Sequence, residues 1–192
     1  MTNTIVELLC QRTSSARLSE PAPTSDVLEK VFQTAFRAPD HKMLHPWRYL
    51  VIEDVARERL GEIFVEAAKR QESGRGATLP DVKADKLRAM PLRAPMLIVG
   101  IASPVDHPKV PEQEQILSCA VGVGYMLVAL QSLGFGGIWR TGEMAQDDYV
   151  KEKLGLAGAE SIVGFLYVGT PVGEARIPEP LSLSDYVTHW QG

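Results

Sequence analysis

Residues 37–47 read RAPDHKMLHPW, with two prolines, two histidines and a tryptophan in one short run. Proline fixes the backbone and removes a donor, and the aromatic polar residues add edges that want partners, so a segment this dense in both is costly unless it grips something. Its neighbours fix its setting. Upstream, TSDVLEKVFQTAFRAP places Val27, Leu28, Val31, Phe32 and Ala35 on one helical face, with Thr24 or Ser25 as N-cap and Pro39 beyond the end. Downstream, WRYLVIE has the β-branched and aromatic bias of a strand. The run is therefore a shaped connection from a helix to a strand, and Trp47 starts that strand.

Whole-chain properties bound what it can grip. A length of 192 residues suits one domain, 1–192, with a core large enough to fold without staples. Hydrophobic content of 45% with 23% charged residues is ordinary for a soluble globular chain, and a net charge of -4 gives no electrostatic case for nucleic acid or an anionic membrane. Cys10 and Cys119 stand far apart, with neither a C-x-x-C pair nor His/Cys ligand spacing, so no disulfide framework and no metal site is expected. The opening MTNTIVELLCQRTSS lacks the basic and long apolar regions of a secretory signal, and the expected location is the reducing cytoplasm.

Farther along, a short helix carrying Ile5, Leu8 and Leu9 gives way to the polar QRTSSARLSEPAP. VARERLGEIFVEAAKRQ returns to helical spacing, and ESGRGATLPD reads as a flexible loop. PMLIVGIA is a continuous apolar run of strand length, which predicts a central strand buried on both faces. SPVDHPKVPEQEQ reads as a proline-broken loop, followed by ILSCAVGVGYMLVALQSLGF, a close-packed core helix stopped at Gly134 and not a membrane span. GGIWRTG then predicts a short strand or turn, QDDYVKEKLGL a small helix with a glycine stop, and SIVGFLYVGTP the last core strand before a proline-spaced tail.

The sequence contains no Walker-type phosphate loop, no H-E-x-x-H helix and no G-x-S-x-G elbow. Gly122 and Gly134 open only fragments of a dinucleotide-binding glycine pattern, one of them inside an apolar helix. Separated polar clusters remain. Arg12, Thr13 and Ser14 at the end of the first helix suit a phosphate, which a guanidinium meets with two parallel hydrogen bonds, or they are a helix-end cation and its neighbours. Arg37 has the same reading as a helix-end cation before a turn, His41 and His45 read as caps on loop carbonyls unless they meet a ligand, and Trp139, Arg140 and Thr141 are either a core indole beside a surface arginine or a ligand contact.

Taken in order, QRTSSARL, the amphipathic helix, RAPDHKMLHPW, GFGGIWRTG and IVGFLYVGTP resemble the FMN-dependent nitroreductase family and its short, YdjA-like branch, over residues 5–180. The resemblance implies an α+β fold, a mixed and largely antiparallel sheet flanked by helices, in an intertwined homodimer with FMN at each end of the subunit interface. The long Gly- and Ala-containing helix would lie in that interface. Carried over by position, Arg12, Thr13 and Ser14 hold FMN from one subunit and Arg37 and His41 reach it from the other. Trp139, Arg140 and Thr141 then lie beside its ring or phosphate. Thr13 stands where the commonest family wording has a second arginine, and Met43 and His45 stand where it has Asn and Gln. The implied activity is ping-pong hydride transfer from NAD(P)H, as co-substrate, through FMN to nitroaromatics, quinones or similar small acceptors. The flavin would do the chemistry, so no catalytic side chain is named. The alternative is a flavin carrier or redox-sensing protein without small-molecule turnover.

Overall fold

The computed structural model describes residues 5–174 and 176–192; the first four residues of the stretch read for a secretory signal lie outside them. Its centre is the strand β3 (Met96–Ala102), and all seven of its residues are buried. Alternate side chains serve two cores. Leu97, Val99 and Ile101 join one apolar cluster, and Met96 and Ile98 join the other. The unbroken apolar run thus records two covered faces, as the pleat requires. β3 lies between β2 (Trp47–Glu53) and β5 (Ser161–Pro171), while β4 (Gly136–Arg140) and the two-residue β1 (Leu18–Ser19) pair with β5. Every pairing among the described residues is antiparallel.

Helices cover both faces. On one side α3 (Val55–Gly74) packs Leu60, Phe64 and Val65 against Leu97, Val99, Phe165 and Tyr167, with α6 (Glu143–Gln146) and α7 (Asp148–Lys153) adding Met144 and Val150. On the other, α2 (Ser25–Ala35) and α5 (Glu112–Ser132) close over Met96, Ile98, Leu166 and Val168 with Val31, Ala35, Val123, Met126 and Leu130. Each such large aliphatic or aromatic side chain contributes about 1.5–3 kcal/mol when fully buried. Gly122 shows how close α2 and α5 come: a Cβ there would sit 3.1 Å from the Ala35 carbonyl oxygen and 2.8 Å from the Tyr49 hydroxyl. Gly134, at φ +83, ends the helix in a conformation only glycine adopts without strain.

Three expectations need correction. ESGRGATLPD is not a loop throughout: α3 continues to Gly74 and a further helix, α4 (Asp81–Ala89), starts at Asp81. Ties to other elements extend α3, with Gln71 donating to Asp147 and Glu72 accepting from Lys83 at 2.9 Å. Second, EQEQ is not loop but the first turn of α5, which begins at Glu112 directly after Pro111 and places two carboxylates at the positive end of the helix dipole. Third, α5 is not a wholly buried core helix. Leu117, Val121 and Tyr125, spaced one turn apart along one stripe, are exposed. By length and composition α5 could cross a bilayer, but its other side is packed into this fold.

A half-buried ion pair ties β2 to the start of β5, and Ser103, just past β3, joins it. Arg48 donates from Nε and Nη2 to the two Glu160 oxygens at 2.6 and 2.7 Å, and Ser103 and the Ala157 amide complete the carboxylate's partners. The Arg48 hydrogen bonds, helped by those from Ser103 and Ala157, hold the Glu160 carboxyl at about 2, down from an ordinary 4.5. A depressed carboxyl stabilises the fold above its unfolded value, and the contribution fades as pH falls through the folded value. Wild-type stability from this group should therefore be complete above about pH 4.5 and lost progressively towards pH 2. Glu160→Gln should cost about 1–2 kcal/mol at neutral pH and flatten the acid limb, as read by urea denaturation across that range.

Candidate functional site

The chain running out of α1 (Ile5–Gln11) is pinned to the sheet: the Ser15 amide donates to the Gly137 carbonyl at 3.0 Å, and the Arg17 carbonyl accepts from the Val172 amide. This lays Thr13, Ser14 and Ser15 beside the start of β4 and the exit of β5. There they line a cleft of about 400 Å³ with Arg17, Gly136, Gly173 and Arg176. The Thr13 hydroxyl donates to the Arg176 carbonyl at 3.3 Å, closing the cleft from the tail side. Hydroxyls, two guanidinium side chains and exposed backbone at strand ends form a donor-rich set without a carboxylate except Glu174, and such a set suits a phosphate. Arg12, half-buried, follows α1 immediately and its amide donates to Leu9; it adjoins this cleft in sequence but is not among the residues lining it.

The pleat of β4 divides the expected Trp139–Arg140–Thr141 group. Trp139 turns into the core beneath α5, where its indole N–H donates to the Val163 carbonyl at 3.3 Å. Its ring lies over Gly164, where a Cβ would come within 2.0 Å of Nε1. Arg140 turns to the opposite face, its guanidinium 5.6 Å from the Tyr167 ring centre and its Nε buried without a hydrogen-bond partner. Thr141 lines a second, wider cleft of about 660 Å³ with Gln71, Arg75, Gly142, Glu143 and Asp147. The Gly137–Thr141 spacing along an extended strand is ~13 Å, so the two clefts sit at opposite ends of β4.

The connection of residues 37–47 forms a third place. Arg37 is exposed just past α2, its amide donating to the Thr34 carbonyl. His41 is half-exposed, and its Nδ1 lies 3.0 Å from Glu114 Oε2. Asp40 Oδ2 accepts from the His45 amide at 2.7 Å, and the His45 ring meets Trp47 edge-on at 5.7 Å. Between these ties Lys42, Met43 and His45 hold positive φ values of 68, 53 and 50, which non-glycine residues adopt at a cost. The loop is held in shape, as its composition suggests.

Sequence reasoning missed Arg176 and Glu114 and gave Arg17 no role. Arg17 stands inside the RTSSAR run, but the partners of Arg176 and Glu114 are distant in sequence and leave no local pattern. Cys119 is buried, which pushes its thiol up to about 12 and keeps it an unreactive packing group.

A protein-family model described as the nitroreductase family matches residues 10–170. YdjA of Escherichia coli (strain K12), provisionally named an NAD(P)H nitroreductase, is 40% identical over 186 residues, covering 94% of this chain and 98% of that protein. Among solved structures, a nitroreductase-like family protein from Bacillus cereus superposes with a TM-score of 0.81 at 19% identity, covering 100% of this chain and 98% of that one. An FMN-dependent nitroreductase from Clostridium difficile R20291 superposes with a TM-score of 0.68 at 21% identity, covering 97% and 99%. The structural likenesses establish the α+β fold, and the family match together with the near-complete alignment to YdjA establishes descent: this chain belongs to the nitroreductase family.

Proposed function

We propose that the protein is an FMN-dependent oxidoreductase that passes hydride from NAD(P)H to small flat acceptors such as nitroaromatics and quinones, on one domain spanning residues 1–192. The observation that carries this reading is the donor-rich cleft of Thr13, Ser14, Arg17 and Arg176 at one end of β4, with Thr141 and its wider cleft at the other. The first cleft is lined partly from α5 and the second partly from α3, on opposite sides of the sheet, so a ligand with a phosphate at one end and a flat ring at the other would reach both by running along the β4 edge. Arg140, next to Thr141 at the end of β4, has a buried Nε without a hydrogen-bond partner. Family membership and the names of the relatives support the same assignment.

When bound, FMN supplies the centre that accepts and returns the hydride. The chain's part is to bind and orient. Arg17 and Arg176, which line the cleft, would neutralise the phosphate with Arg12 adjoining them, the Ser14 hydroxyl would fix its direction, joined by Thr13 if its hydroxyl turns from the Arg176 carbonyl, and the segment at Thr141 would border the ring. With FMN held there, the Thr141 cleft would be the place for nicotinamide and acceptor to enter in turn, the ping-pong order that the family resemblance implies.

A homodimer completes the site in this reading, with Arg37 and His41 reaching the partner's flavin. Exposed apolar side chains support such an interface. Ile5, Val6 and Leu9 of α1 join the Leu117–Val121–Tyr125 stripe of α5, and the tail exposes Ile177, Leu181, Tyr186 and Trp190. The test is anaerobic stopped-flow reduction. Bound FMN should bleach under NADH or NADPH far faster than free flavin and recover its colour when a nitroaromatic or quinone is added. Bleaching no faster than that of free flavin would leave a flavin carrier or redox sensor as the better account.

A further inference from the structure

Glu114 and Ser118 lie one turn apart on the same side of α5, and both reach the connection that carries His41. The Ser118 hydroxyl donates to the Pro39 carbonyl, and the Glu114 carboxylate accepts from His41 Nδ1 at 3.0 Å. Both partners of the second contact are half-exposed, and exposed pairs of this kind contribute little to folding. The contact does settle something else. An unpaired histidine exchanges between two tautomers and several rotamers, whereas a carboxylate at Nδ1 keeps the proton there and fixes the ring, leaving Nε2 as the atom free for a ligand. The hydrogen bond from the His45 amide to Asp40 secures the backbone of the loop, and it is Glu114 that holds the ring.

We propose that Glu114 is the positioning residue of His41, presenting Nε2 to the flavin bound across the subunit interface; this rests on the assignment of His41 to the partner's FMN. The residue was hidden in the sequence because EQEQ reads as loop. As the first turn of α5 it becomes a rigid mount, and the helix that carries the interface stripe also aims the side chain that crosses it.

The experiment compares FMN dissociation constants and visible spectra of the dimeric wild type, Glu114→Ala, Glu114→Gln, His41→Ala and the Glu114→Ala/His41→Ala double variant. Glu114→Ala should weaken FMN about three- to ten-fold and shift the bound flavin's band. Glu114→Gln, whose amide oxygen still accepts from Nδ1, should recover most of that loss. In the His41→Ala background the Glu114→Ala change should add less than about two-fold, because its effect passes through the imidazole. Equal losses from Glu114→Ala with and without His41, or no rescue by glutamine, would overturn the positioning role while leaving His41 at the flavin. An unchanged affinity and spectrum for His41→Ala would instead remove the assignment on which the proposal rests.

Discussion

An Arg12→Ala/Arg176→Ala double variant should purify almost free of FMN. Arg176, following β5, lines the cleft beside Gly136, and Arg12, following α1, adjoins that cleft in sequence and is the arginine that the family resemblance assigns to FMN. A hydrogen bond to a charged group contributes about 1.5–3 kcal/mol net, and each 1.4 kcal/mol is roughly ten-fold in a dissociation constant. Removing both guanidinium groups therefore corresponds to about a hundred-fold or more, and either single change to about ten-fold or more. Fluorescence titration of the apoprotein with FMN reads the effect. Arg88→Ala, an exposed cation of α4 paired with Glu62 and Asp85, is the control for a general loss of positive charge and should leave affinity within about two-fold. Retention of wild-type affinity by the double variant, with an unchanged circular dichroism spectrum, would move the phosphate away from this cleft. Arg140, with its unpartnered Nε, would then be the first alternative.

That test falls where sequence reading is weakest. The sheet was legible because its signals are local: seven consecutive apolar residues at β3 mean two buried faces whatever the direction of the neighbouring strands, and the bias of WRYLVIE means strand. α2 was legible because its apolar face is continuous, with Val31 and Ala35 fully buried. α4 was not, because only Leu87 of its residues is buried, with Ala84 half-buried beside it; a helix that touches the core through so few side chains leaves almost no periodic signal. The first turn of α5 was lost for a related reason. Glu112 to Gln115 carry no apolar periodicity, and Pro111 reads as a loop residue although proline is well tolerated at the edge of a helix.

The site was half legible. Residues joined within one segment, such as Thr13 and Ser14, arrive together because a short stretch of backbone carries them. Trp139 and Arg140 show the opposite: they are adjacent in sequence, yet a strand sends neighbours to opposite faces, so one is a core indole with a carbonyl partner and the other a half-buried cation beside Tyr167. Arg176 came from a tail whose prolines and polar residues carry no periodicity, and its place in the cleft lining and the hydrogen bond of Thr13 to its carbonyl show where it belongs.

Mixing Arg12→Ala protein with His41→Ala protein, under conditions that allow subunit exchange, should restore FMN binding that neither variant shows alone. If each site takes Arg12 from one chain and His41 from the other, a heterodimer collects both lesions in one site and leaves the second with two wild-type residues. The symmetry of a two-fold dimer makes that outcome obligatory. At an FMN concentration above the wild-type dissociation constant and below those of both variants, freely exchanged material should hold one flavin per heterodimer. Native mass spectrometry counts flavins on each species. The apolar residues of α1, α5 and the tail supply the surface through which the chains would meet. Bound flavin would in turn favour the dimer, as any ligand favours the state that binds it, so removing FMN should raise the protomer fraction on dilution. Heterodimers that form but hold no flavin would place Arg12 and His41 in the same chain's site. RAPDHKMLHPW would then be a clamp within one subunit, not between two.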